Sequence, residues 1–169
     1  MNKSESFSIP VRVYYEDTDA GGIVYHTNYL KFMERSRTDW LRDLGIEQQS
    51  LLEQNVGFVV KDLTMKNSKA AVFNDMLSIS CQVVELRRAS ILFQQHAYRV
   101  IDHDINVDTN VDIKNDLYIN KNNTNNKNIK SRTKELLVSA EVRVACVDLG
   151  RMKPIAIPDF ILREIKRAV

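Results

Sequence analysis

Tyr29, Phe32, Met33, Trp40, Leu41 and Leu44 recur at the spacing of one helical face, with small Ser36 between them. Lys31, Glu34, Arg35, Thr38, Asp39, Arg42 and Asp43 fill the other positions, so the spacing predicts a long helix with one buried stripe. A single amphipathic helix has nothing of its own to bury that stripe against. The rest of the chain supplies the cover, because most of it alternates with period two. Leu77, Ile79, Cys81 and Val83 alternate with Ser78, Ser80 and Gln82. Leu136, Val138, Ala140, Val142 and Val144 alternate with Leu137, Ser139, Glu141 and Arg143. With further strands expected at 8–15, 58–65 and 91–100, the pattern predicts an α+β domain, an antiparallel sheet laid over one long helix. Thr27 or Asn28 is placed to cap the start of that helix, and Gly45 stands where a left-handed residue ends one. Residues 46–54 read as a short second helix. Pro158 opens a last one, with Phe160, Ile161 and Ile165 as its apolar side.

The first strand runs into an acidic turn, Glu16-Asp17-Thr18-Asp19, followed by Gly21-Gly22 and then the long helix. His26 comes seven residues after Asp19, near the helix start. Backbone N–H groups there have no intrahelical acceptor, and the helix dipole adds partial positive charge. A carboxylate beside such donors can serve as base or nucleophile next to an oxyanion. The same residues also make an ordinary acidic turn and an ordinary histidine at a helix start, and residue types alone leave both readings open. No nucleophile elbow, phosphate loop or zinc spacing is present, so no cofactor and no metal are expected.

The run Tyr14-Tyr15-Glu16-Asp17-Thr18-Asp19-Ala20-Gly21-Gly22-Ile23-Val24-Tyr25-His26 resembles the signature of the hotdog-fold acyl-CoA thioesterases of the hydroxybenzoyl-CoA thioesterase family. Within that family it is most similar to the Tol-Pal-associated (YbgC-type) branch. The similarity continues at Arg37-Thr38, Phe58-Val59-Val60, Asp75-Met76-Leu77, Val144-Ala145-Cys146-Val147-Asp148 and Met152-Lys153-Pro154. It covers nearly the whole chain outside 102–133. The resemblance implies a hotdog fold, a curled antiparallel sheet of about five strands wrapped around a long central helix. It implies hydrolysis of an acyl-CoA thioester to free acid and CoA. Asp19 then acts as nucleophile or general base, and the backbone N–H of His26 as oxyanion donor. Gly21 and Gly22 let the chain turn close to the substrate, and the His26 imidazole orients water or donates a proton.

The basic turn Arg87-Arg88-Ala89-Ser90 is similar to one that holds CoA phosphates in the family, so Arg87, Arg88 and Ser90 are the implied CoA-binding residues. The plain reading of these residues is a solvated hairpin turn. Asp17 reads as a turn residue, Tyr15 and Tyr25 as core or pocket wall, His96 as structural and His103 as exposed. The implied partners are acyl-CoA as substrate and further copies of the chain in a homodimer or homotetramer, with each active site at a subunit interface. Two other readings compete. A hotdog dehydratase usually places its histidine and acidic residue differently. A binding module would hold acyl carrier protein or lipid-synthesis enzymes, with vestigial hydrolysis.

A net charge of +2 on 169 residues gives no reason to expect a nucleic-acid or membrane partner. Cys81 and Cys146 sit far apart in strand patterns, as buried free thiols of a reducing compartment do. The N-terminal residues have no apolar signal core, and no stretch approaches the ~18 apolar residues of a membrane span, so a cytoplasmic protein is expected. The whole of 1–169 reads as one domain. Asparagine, lysine and aspartate dominate 102–133, a composition that buries little. We expect it to be an insertion in the hairpin between the fourth and fifth strands, either a mobile surface loop or a contact surface. Residues 1–6 are expected to fray.

Overall fold

The computed structural model describes residues 7–106 and 128–169. The expectations for 1–6 and for the centre of the insertion, 107–127, lie outside the described residues. The long helix forms as its stripe predicts. It is α1, His26–Asp43, with Tyr29, Phe32, Met33, Ser36, Trp40 and Leu41 buried. It ends at Gly45, whose φ of 74° is left-handed. The N–H of Gly45 bonds to the Arg42 carbonyl at 2.9 Å and that of Ile46 to the Leu41 carbonyl at 2.9 Å, a Schellman stop with buried Leu41 and Ile46 beside it. The start differs from expectation. Tyr25 is the N-cap and no side chain caps the helix. Thr27 and Asn28 lie inside the first turn, and the Asn28 amide instead donates to the Asp17 carbonyl at 2.9 Å.

Five long strands follow the expected order: β1 Phe7–Arg12, β2 Val56–Asn67, β3 Met76–Leu86, β4 Ser90–Asn106 and β5 Asn128–Asp148. They pair antiparallel in the spatial order β1-β3-β4-β5-β2, and a two-residue β6, Lys153–Pro154, adds to β5. Short α2, Gln48–Glu53, leads into β2, and α3, Asp159–Ala168, closes the chain. Leu77, Ile79, Ile91, Phe93, Val138 and Val142 from the sheet join the α1 stripe in one core, where Trp40 meets Phe93 edge-on at 5.5 Å. A buried polar lock crosses this interface. Gln95 donates to the Met33 carbonyl at 3.0 Å and accepts from Arg37 at 2.6 Å. Arg37 also pairs with Glu34.

Three local expectations are corrected. Tyr15 does not continue the β1 alternation, because a 3₁₀ turn at Tyr15–Asp17 swings it out to 82% exposure. On β5 the roles of Leu136 and Leu137 are reversed. The β4–β5 register shifts between Ala97 and Tyr98, so Leu137 is an extra residue and sits buried while Leu136 is exposed. Ser78 and Ser80, which alternate with the apolar residues of β3, are buried too, and the Ser80 hydroxyl accepts the His96 N–H at 3.0 Å. On α3, Ile161 and Ile165 are buried but Phe160 is exposed. β4 and β5 stay paired out to Asn106 and Asn128.

Candidate active site

The turn between β1 and α1 is built from sequence-local bonds. The Asp17 carboxylate accepts the Tyr14 N–H at 2.9 Å, and the Asp17 carbonyl accepts the Tyr25 N–H at 2.9 Å. Asp17 is thus the turn residue expected of it. It fixes both entry to the turn and exit into the helix. Beyond it, Thr18 bridges Val24, and the Asp19 N–H bonds to the Ile23 carbonyl at 2.9 Å. Ala20, Gly21 and Gly22 form the three-residue loop so closed, with Gly22 at φ 74° as the left-handed residue such a loop takes. Gly21 has a different reason. Its N–H donates to Asp19 Oδ1 at 2.8 Å, and a Cβ there would stand 3.1 Å from that same oxygen.

Asp19 is therefore exposed at the loop, one oxygen held by Gly21 and the other with no donor among the described residues. His26 is the first residue of α1, and its backbone N–H meets no acceptor among the described residues. Its exposed imidazole lies 4.5 Å from the Tyr25 ring. Tyr25 and Tyr15 are exposed rather than core. With Ile23, Val72 and Phe73 they form an apolar surround for the loop, and Tyr15 meets Phe73 edge-on at 6.3 Å.

The loop rests on the β2–β3 connection, a support that reading the sequence did not find. The Val24 N–H bonds to the Ala71 carbonyl at 2.9 Å, Ile23 bridges Val72, and the Ala71 N–H donates to the Tyr29 hydroxyl at 2.8 Å. Burial raises the Tyr29 phenol above its ordinary value, and so keeps it protonated. No local pattern marks this contact, since Ala71 and Tyr29 are 42 residues apart.

Arg87, Arg88 and Ser90 form the β3–β4 turn, at the other end of β3 from the loop. β3 spans 11 residues, so at about 3.3 Å per residue the two groups stand roughly 30 Å apart. The turn is not simply solvated. Arg87 already pairs with Glu85 at 2.7 Å, and the Arg88 carbonyl accepts the Ile157 N–H at 2.8 Å. The Arg88 side chain is exposed and has no charged partner among the described residues. His96 is half-buried on β4, and burial depresses its pKa, as suits a structural histidine. His103 is exposed and reaches Thr133 at 2.9 Å. A groove of about 710 Å³ runs between β1 and α1, lined by Arg12, Tyr14, Glu34, Arg35 and Asp39 among others. Asp19 and His26 do not line it.

A curled antiparallel sheet around one helix, with a carboxylate loop feeding the helix start, is the architecture of the hotdog-fold thioesterase class. Residues 13–165 match the thioesterase-like superfamily, and the chain belongs to it. It is 44% identical over 163 residues to acyl-CoA thioesterase YbgC of Haemophilus influenzae, covering 96% of this chain and 93% of that one. Acyl-CoA thioester hydrolase YbgC of Escherichia coli O157:H7 is 38% identical over 161 residues, covering 95% and 96%. Among solved structures, a probable thioesterase from Bartonella henselae superposes with a TM-score of 0.65 at 26% identity, over 89% of this chain and 98% of that one. A 4-hydroxybenzoyl-CoA thioesterase variant complexed with 4-hydroxybenzoyl-CoA gives 0.70 at 17% identity, over 96% and 99%, a likeness of fold alone.

Proposed function

We propose that this chain is an acyl-CoA thioesterase that hydrolyses the thioester to free acid and CoA through Asp19 and the helix start at His26. The observation that carries the reading is the exposed Asp19 carboxylate, with one oxygen unengaged, on a loop that leads into the open N–H of the His26 turn. The substrate carbonyl oxygen accepts the His26 N–H, which stabilises the charge that develops there. Asp19 then works in one of two ways. It attacks the carbonyl carbon, expelling CoA thiolate and leaving an anhydride that water cleaves. Alternatively it takes a proton from water as that water attacks, and the tetrahedral adduct expels the thiolate. The His26 imidazole orients the water or protonates the thiolate.

Assembly completes the site in this reading. Arg88, with Arg87 and Ser90, holds the CoA phosphates, and the distance along β3 supports a reading in which another protomer's turn supplies them. Two features support a dimer as the minimum. β2 is an edge strand with exposed Val60 and Leu63, and the loop is ringed by exposed Tyr15, Ile23 and Phe73. Buried free Cys81 and Cys146 fit the cytoplasm. No helix among the described residues is long and apolar enough to cross a membrane.

Thiol release measured across a panel of acyl-CoAs and acyl-carrier-protein thioesters tests the function. We expect turnover of at least one acyl-CoA. Tight binding of acyl carrier protein with no thiol released from any substrate would replace the enzyme by the binding module.

A further inference from the structure

Arg99 lies on β4 and takes no part in the chemistry assigned to Asp19 and His26. Its side chain is about three-quarters buried, 24% exposed, and makes three charge-assisted contacts. Nε donates to Asp75 Oδ2 at 2.8 Å, Nη1 to Glu135 Oε2 at 2.6 Å and Nη2 to the Ala70 carbonyl at 2.6 Å. Glu135 is its register partner on β5 and also receives Lys69 at 2.5 Å. Hydrogen bonds from Lys69 and then Arg99 hold the Glu135 carboxyl below its usual range. Asp75 Oδ2 accepts the Val72 N–H as well, at 2.9 Å. One guanidinium therefore fastens both ends of segment 70–75 to the sheet.

The middle of that segment touches both halves of the site. Ala71 is completely buried. Its carbonyl receives Val24, in the chain that closes the Asp19 loop, and its N–H reaches Tyr29, three residues after His26. The Ala71 backbone thus braces both the carboxylate loop and the helix start from outside the turn, beside the direct bonds at Asp17. Its methyl group is buried in the core, and the bonds at Ala70 and Asp75 fasten the segment on either side of it.

We propose that Arg99 is a positioning residue, clamping segment 70–75 with Asp75 so that Ala71 holds the Asp19 loop at its working distance from the His26 N–H. This rests on the assignment of Asp19 and His26 above. The planar guanidinium suits the task because it sends three donors in fixed directions, whereas a lysine ammonium is a single point on a flexible stem. Removing a three-quarters-buried guanidinium from two carboxylates also costs stability, so the rate is read per folded molecule. Misplacing reacting groups by about 1 Å can cost ~10²-fold in rate.

The test compares steady-state hydrolysis of one good acyl-CoA by Arg99→Met, Arg99→Lys and Asp19→Asn, with thermal melts of each. We expect Arg99→Met to lose about 10–100-fold in kcat with KM within about twofold of wild type. Millimolar guanidinium should restore part of that loss, and Arg99→Lys should fall between Arg99→Met and wild type. Wild-type kcat in Arg99→Met beside an inactive Asp19→Asn would overturn the clamp and leave the site standing. An active Asp19→Asn would overturn the site assignment, and the clamp with it. A kcat loss that follows the folded fraction and answers to neither guanidinium nor lysine would show a structural role and overturn the proposal. If Arg99→Met fails to fold, Arg99→Lys decides: reduced kcat at unchanged KM supports the clamp, and wild-type kcat overturns it.

Discussion

Asp17 and Asp19 are two residues apart and have opposite roles in the turn. Asp17 is half-buried and engages the backbone at Tyr14 and Tyr25, while Asp19 is exposed and half engaged. Residue types alone left the role of Asp19 open and the resemblance singled it out, while Asp17 read as a turn residue, as its bonds to Tyr14 and Tyr25 have it. Arg99 was not legible, since its partners Asp75 and Glu135 are 24 and 36 residues away. At this scale the buried thiols make a pH prediction. Burial pushes the Cys81 thiol from 9.0 up to about 12. A group whose folded pKa is raised favours the folded state below its unfolded value and loses that contribution as pH rises toward the folded one. Stability should therefore decline between pH 9.0 and about 12 on this account. In Cys81→Ala the decline should be shallower, by roughly 2 kcal/mol at about pH 10.5 relative to neutral pH. Urea unfolding of both proteins at the two pH values measures it, and equal declines would contradict it.

The elements divide by how local their signals are. The α1 stripe and its Gly45 stop were legible because helical spacing and a left-handed glycine are set within a few residues. Strand faces were legible only as far as the register ran unbroken. At Leu136 and Leu137 alternation pointed to the wrong residue, because a bulge depends on the partner strand and leaves no mark in the β5 sequence. Leu137 also works as an anchor, its carbonyl accepting Ser68 at 2.8 Å and Lys69 at 3.1 Å. We predict that Leu137→Ala destabilises the fold by about 2–5 kcal/mol, as a buried leucine does. Leu136→Ala should stay within about 0.5 kcal/mol, as exposed positions do. Denaturant midpoints for the two variants check this, and the reverse order would mean that the unbroken register is the real one.

Across the whole molecule, one protomer holds the carboxylate loop and the basic turn at opposite ends of β3. The sequence carried both motifs but not this separation, which follows from the length and direction of one strand. The β2 edge and the apolar ring around the loop give assembly a physical motive. We predict a dimer by sedimentation at micromolar concentration. The double variant Val60→Lys, Leu63→Lys should sediment as a monomer and lose most turnover while keeping its circular dichroism. A fully active monomer would contradict the shared site.

The central claim is that the negative charge of Asp19 performs the chemistry, and single-turnover hydrolysis by Asp19→Asn tests it most directly. The substitution keeps the side chain's size and an oxygen for the Gly21 N–H, but it removes both nucleophile and base. General acid–base help alone is worth about 10²–10⁴-fold, so the rate should fall at least that far. Binding of a non-hydrolysable acyl-CoA analogue should be nearly unchanged. Asp17→Asn should retain most of the rate. Near wild-type turnover in Asp19→Asn would contradict the account.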